Sequence, residues 1–266
     1  MATAQQTHLP AVGDERFFLH AAFVMTAIIV TGFSLHLAMG RSTFASPVRV
    51  HAHAILFMGW VGIYLLQNIF VATGRIDLHR KLGWIAAAWL VPMVVSGFVV
   101  TVVMVRSSTV PFFFQPLQFL VFDPVAILAF AGLTVAAILL RRRTEWHRRL
   151  HFCGMTILLA PAFGRLLPLP FLQPWAWETT VAVTLLFPIV GALSDKRRSG
   201  RAHPAWSWGI GAILGSVILT QAITYTRVGT AIYRAVTEGY PGASVDPLGF
   251  RPMPETGHVS GATRHR

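Results

Sequence analysis

The chain has 266 residues, 54% of them hydrophobic and only 12% charged, with a net charge of +12 and a single cysteine, Cys153. A soluble domain carries about 25% charged residues, whereas here most apolar residues fall in runs of ~20, long enough to cross a ~30 Å hydrocarbon core. This excludes a string of soluble domains, an intrachain disulfide or cysteine-metal framework, and nucleic acid as a partner, because most basic residues sit in short loops where they read as topology signals facing anionic lipid headgroups.

The expected fold is all-α, a polytopic membrane bundle of about seven transmembrane helices. Residues 1–16 form an N-terminal segment that lacks the basic run of a signal peptide, so Phe17 is expected to open the first span. The spans are Phe17–Met39, Val50–Thr73, Leu82–Val105, Leu117–Leu140, Leu150–Leu167, Trp175–Leu193 and Ala205–Thr226. The fifth is short, kinked by Pro161 and ended by Leu167-Pro168-Leu169-Pro170. Pro92, Pro124 and Pro188 lie in or near other spans, where neighbouring helices can satisfy the backbone groups they free. The bundle fills 17–226. The tail, 227–266, is rich in Gly, Pro and polar residues and is expected to be mostly irregular and extracytoplasmic. No internal repeat and no phosphate loop stand out.

The basic residues divide by side. The loops after the second, fourth and sixth spans hold twelve, and the other short loops hold three, Arg41, Arg49 and Arg106. By the positive-inside rule the N-terminus is cytoplasmic and the C-terminus periplasmic. The lipid bilayer is its partner, with other membrane subunits as further candidates.

Within the second span, His53, Phe57, Trp60, Tyr64 and Gln67 share one helix face at 4-3-4-3 spacing. A polar stripe there should face protein or water, not lipid. In the fifth span His147, His151, Gly154, Pro161 and Arg165 lie close to one stripe, and Arg165 stands ~20 Å from His151 at ~1.5 Å per residue. A buried guanidinium needs a counter-charge, and Asp123 and Glu178, both at outer helix ends, are the candidates. Arg165, Asp123, Glu178, Gln67 and Tyr64 thus form the expected buried polar network. The histidines fall into an outer group, His36, His51 and His53, and a cytoplasmic group, His20, His79, His147 and His151.

Ordinary roles compete at every position. His79 and His147 adjoin arginines and could touch headgroups, His20 could cap or pack, and the outer histidines could bond one another or loop carbonyls. Trp84, Trp146, Trp175, Trp177 and Trp206 read as interfacial aromatics, Gly209, Gly211 and Gly215 as close helix packing, and Cys153 as an inert buried thiol.

Three pieces, HAHAILFMGWVGIYLLQ, LHRKLGWIAAAWLVPMVVSGF and WHRRLHFCGMTILLAPAFGRL, together resemble a family of bacterial multi-pass inner-membrane proteins that carries no assigned activity. The resemblance covers about half the chain, from His51 to Arg165, and implies a membrane fold, not a reaction. The second piece also resembles the LHSWLG-type helix of transmembrane b-type cytochromes, through His79, Leu82 and Gly83, with His51 or His53 as a loose second match. His20 and His36 depart from that pattern, since 16 residues leave them on nearly opposite faces of one helix.

Three functions follow. The first is a redox protein with haem b, ligated by His79 with His151 and, for a second haem, His36 with His53. The second holds zinc or copper on His51, His53 and His36. The third is a non-enzymatic transporter or assembly subunit whose path or interface is lined by Arg165, Asp123, Glu178 and Gln67. No catalytic residue is assigned.

Overall fold

The computed structural model describes residues 12–253. The rest of the expected N-terminal segment and tail, His258 included, lies outside the described residues. Among these the chain is all-α, with nine α-helices and no strand. They are α1 (Val12–Ala38), α2 (Val48–Ala72), α3 (Ile76–Arg106), α4 (Pro116–Leu139), α5 (Thr144–Ile157), α6 (Ala160–Leu166), α7 (Ala176–Ser199), α8 (Pro204–Thr224) and α9 (Arg227–Thr237). Six are long and apolar enough to cross a membrane: α1, α2, α3, α4, α7 and α8.

The expected fifth span is two helices. Pro161 has no N–H to continue the ladder of α5, so it sits in the first turn of α6 instead, where no such donor is required. The broken pair still makes one traverse. Phe152 of α5 packs on Phe17 and Phe18 near the start of α1. A Cβ on Gly32, further along α1, would fall 2.9 Å from the Ala162 carbonyl of α6. The pair therefore runs alongside α1 from one end of the bundle to the other. Sharp reversals elsewhere use residues that permit them: Gly200 closes α7 in the left-handed conformation, φ 76°, and Pro204 opens α8.

The outer faces are apolar. Val91, Val95 and Val99 on α3 and Ile218 on α8 are exposed at the surface a bilayer would cover. Trp84 and Trp175 are exposed, as expected of interfacial aromatics, but Trp177 and Trp206 are only 6% and 1% exposed. The reason for the second is packing: Trp206 fills a notch at Gly191, where a Cβ would come within 2.3 Å of its ring. Cys153 is fully buried and meets Gly209 of α8, as expected of a packing thiol and a packing glycine, whereas Gly211 and Gly215 face open space.

The tail differs from the irregular segment expected. Gly229, Tyr233 and Thr237 give α9 one buried face at a spacing of four, a period too short to stand out in the sequence. Tyr233 Oη donates to the Gly242 carbonyl at 2.9 Å, Arg106 Nε to Val236 at 2.8 Å and Gln115 Nε2 to Leu248 at 2.7 Å. These bonds tie the tail across the ends of α3 and α4.

Candidate functional site: two polar clusters joined by one face of α2

The first cluster gathers where α1 and α6 end and α2 and α4 begin. Arg165, in the last turn of α6, lies with its guanidinium carbon 4.0 Å from the centre of the Phe33 ring and donates from one terminal nitrogen to the Pro161 carbonyl at 2.8 Å. Its Nε is buried with no partner. The charge of Arg165 reaches His36, His53 and Asp123. Asp123 accepts instead from Thr101 Oγ1 at 3.0 Å. Among the described residues Arg165 and Asp123 thus face each other without a direct ion pair. His53 stacks on Phe57 with ring centres 4.2 Å apart, faces the Ser96 carbonyl, and leaves Nδ1 buried and unpartnered.

From His53 the expected stripe runs down α2. Trp60 and Tyr64 are buried and Trp60 meets Phe130 of α4 edge to face. Trp60 Nε1 and Gln67 Oε1 are buried without partners, and Gln67 reaches Gly83 of α3. The fourteen steps from His53 to Gln67 cover about 21 Å.

The second cluster begins there. His79, in the first turns of α3, faces the main chain of Gln67, and its Nδ1 is buried without a partner. Its ring stands 6.1 Å from that of His147, which stands 4.8 Å from that of His151. His147 Nδ1 lies 2.8 Å from the Ala137 carbonyl. A carbonyl only accepts, so Nδ1 carries the proton and Nε2 keeps its lone pair. Such an outer-sphere bond is the arrangement that orients a metal-bound imidazole, and His79 with His147 supplies two nitrogen donors from two helices. His151, expected as the partner of His79, has His147 as its nearest imidazole on its own helix.

Other expected site residues lie apart. His51 Nε2 donates to the Phe44 carbonyl at 3.0 Å, so it bonds a loop carbonyl next to His53. His20 is exposed. Among the described residues no three His, Cys, Asp or Glu side chains converge as a metal group, so His36, His51 and His53 are not gathered around one point. Glu178 is not beside Arg165. It accepts from Gln118 at 3.3 Å and Gln221 at 2.9 Å, between α4, α7 and α8. The single expected network is therefore dispersed: Arg165 lies near Asp123 without bonding it, Gln67 and Tyr64 stand on one face of α2 without a bond between them, and Glu178 accepts from two glutamines.

One buried charge pair was not expected. Arg149, which reads as a headgroup arginine in WHRRLH, is 4% exposed and Asp195 is 3% exposed. Arg149 Nε donates to Asp195 at 2.7 Å, Trp206 Nε1 donates to the same oxygen at 2.7 Å, and Arg198 approaches the other oxygen at 3.1 Å. Glu145 also accepts from Arg149. The signal that could have found the pair is Asp195 itself, a lone acid heading a run of three basic residues.

No protein-family model, curated protein or solved structure matches this chain.

Proposed function

We propose that this integral membrane protein is a non-enzymatic transporter that moves protons between its two polar clusters along the inward face of α2. One observation carries the reading. Three buried polar atoms without partners, His53 Nδ1, Trp60 Nε1 and Gln67 Oε1, stand on that one face, and His79 Nδ1 continues the series on α3. Buried polar atoms are almost always satisfied by protein or ordered water. We read a row of unsatisfied ones that leads from one histidine cluster to another as the lining of a hydrated path, because intramembrane ionisable groups mark such paths. The break between α5 and α6 supports the same reading, since interrupted helices border transport sites. The charge asymmetry orients the path in the bacterial inner membrane, with the His79 cluster toward the cytoplasm and Arg165 toward the periplasm.

The test is proton flux. Full-length protein in liposomes containing a pH-sensitive dye, driven by a K⁺ diffusion potential, should acidify the lumen faster than protein-free liposomes. Gln67→Leu and His79→Ala should abolish the excess. A parent rate equal to that of empty liposomes overturns the reading. A periplasm-only reporter should work when fused after Arg266 and fail when inserted within Arg141–Arg149; the reverse result inverts the orientation.

A second reading has its own observation. His79 and His147, on different helices with ring centres 6.1 Å apart, are the two imidazoles that would hold a haem b, which would supply one-electron redox chemistry. The protein would hold the group through these two imidazoles and orient one of them through Ala137. A Soret band in the purified parent that is lost in His147→Ala supports it; a colourless parent overturns it.

A further inference from the structure

The periplasmic-side cluster holds two buried groups that one kind of ligand would satisfy together. Arg165 presents an unpartnered Nε, and its nearest acid, Asp123, is turned toward Thr101, whose one hydroxyl proton is shared between that carboxyl at 3.0 Å and the Gly97 carbonyl at 2.9 Å. The guanidinium is thus without a direct anion, and its surroundings are aromatic: Phe33 lies beneath it and Phe57 beside His53. The His53 Nδ1 is buried with no partner, and in the tautomer that carries its proton on Nε2 this nitrogen is a free lone pair. One group lacks an anion and the other lacks a proton.

We propose that this cluster is the substrate site of the transporter and that it takes an apolar monocarboxylic acid, splitting it between the two residues. The carboxyl O–H bond breaks and an N–H bond forms at His53 Nδ1. The carboxylate is held on the Arg165 fork, whose planar donors match two carboxylate oxygens. Charge balances, because a neutral acid becomes a carboxylate beside an imidazolium. A dianion is disfavoured, because the carboxyl of Asp123 already lies near Arg165. Phe33 and Phe57 favour an apolar body over a hydroxylated one. This inference rests on the proton-transport reading and names the acid that loads His53, the start of the path, with its proton.

The experiment uses benzoate as the probe and full-length protein in lipid nanodiscs near pH 7. Calorimetric titrations in two buffers of different ionisation enthalpy give both affinity and protons taken up. The parent should bind benzoate with uptake of about one proton per benzoate and should not bind benzyl alcohol or phthalate comparably. Arg165→Gln should weaken benzoate binding about 100-fold, as expected for removing one partner of a buried charge pair, while its melting temperature confirms that it folds. His53→Gln should keep measurable binding and lose the proton uptake. A parent that does not bind benzoate yet conducts protons overturns the substrate assignment and leaves the path intact. Equal binding by parent and Arg165→Gln overturns the site, and binding without proton uptake overturns the role of His53.

Discussion

Arg149 and Arg165 sit on the two halves of one broken crossing, and each faces an aspartate of a neighbouring helix. Their surroundings differ in one respect. Asp195 receives Arg149, Trp206 and Arg198, so both carboxylate oxygens are engaged and three helices are tied at a single point. Asp123 receives a hydroxyl, and Arg165 keeps an unpartnered nitrogen. A fully satisfied buried network rigidifies the structure around it, while an unsatisfied one carries an energetic penalty that a ligand, water or proton can relieve. The first region ties three helices together; the second leaves a buried polar atom unsatisfied.

The largest expected effects test that division. Arg149→Leu and Asp195→Leu each strand a buried charge and should cost about 3–5 kcal/mol, read as a large fall in melting temperature and in folded yield. The double variant should recover part of the loss. Arg165→Leu should melt close to the parent, because it removes no direct ion pair, while benzoate binding is lost. If Arg165→Leu falls as far as Arg149→Leu, the two regions are alike and Arg165 is structural.

A smaller effect compares two glycines of α8. A Cβ on Gly209 would lie 2.2 Å from Cys153 Sγ and 2.5 Å from its Cβ, whereas Gly211 has nothing within 4 Å. Gly209→Ala should cost about 1–3 kcal/mol by overpacking, and Gly211→Ala should be nearly neutral. Since the Cys153 Cβ is part of the clash, Cys153→Gly should rescue Gly209→Ala better than Cys153→Ala does. Equal melting temperatures for Gly209→Ala and Gly211→Ala would show that α5 and α8 are less tightly apposed than this geometry requires.

How far the sequence speaks follows from what a helical period can encode. The apolar runs and the face shared by His53, Trp60 and Gln67 are local and were legible, and Pro161 marked the interrupted crossing. Partner choice was not legible. Arg149 and Asp195 are 46 residues apart, and both stand among basic residues that look like headgroup contacts. Glu178 was as plausible a counter-charge for Arg165 as Asp123, because both lie at the same end of the bundle; only the packing of α7 against α4 and α8 assigns Glu178 to Gln118 and Gln221. The buried indole of Trp206 was hidden for the same reason, since its partners lie on other helices.

The smallest effect concerns the rim of the satisfied region. His203 is the N-cap of α8, and its Nδ1 accepts from the Ala205 N–H at 3.1 Å. Only an unprotonated Nδ1 can do this. Burial, and then the positive charge of Arg149, hold the His203 ring below its usual value of 6.5. The folded state therefore resists a proton that the unfolded chain accepts. The unfolded state binds more protons below pH 6.5, so the contribution is fully present above that value and declines as pH falls through it. An N-cap is worth about 1 kcal/mol, which bounds the effect. His203 should accordingly account for at most a few degrees of the melting temperature the parent loses on going from pH 7.5 to about pH 5.5. His203→Asn keeps a capping oxygen and cannot titrate in this range, so its melting curve should be flatter over the same interval. The comparison also separates the two regions: His53 and His79 are untouched in this variant, so proton flux should stay at the parent level. Parallel pH dependences in parent and His203→Asn would assign the titration to another histidine, and a loss of flux would mean that the cap and the path are coupled after all.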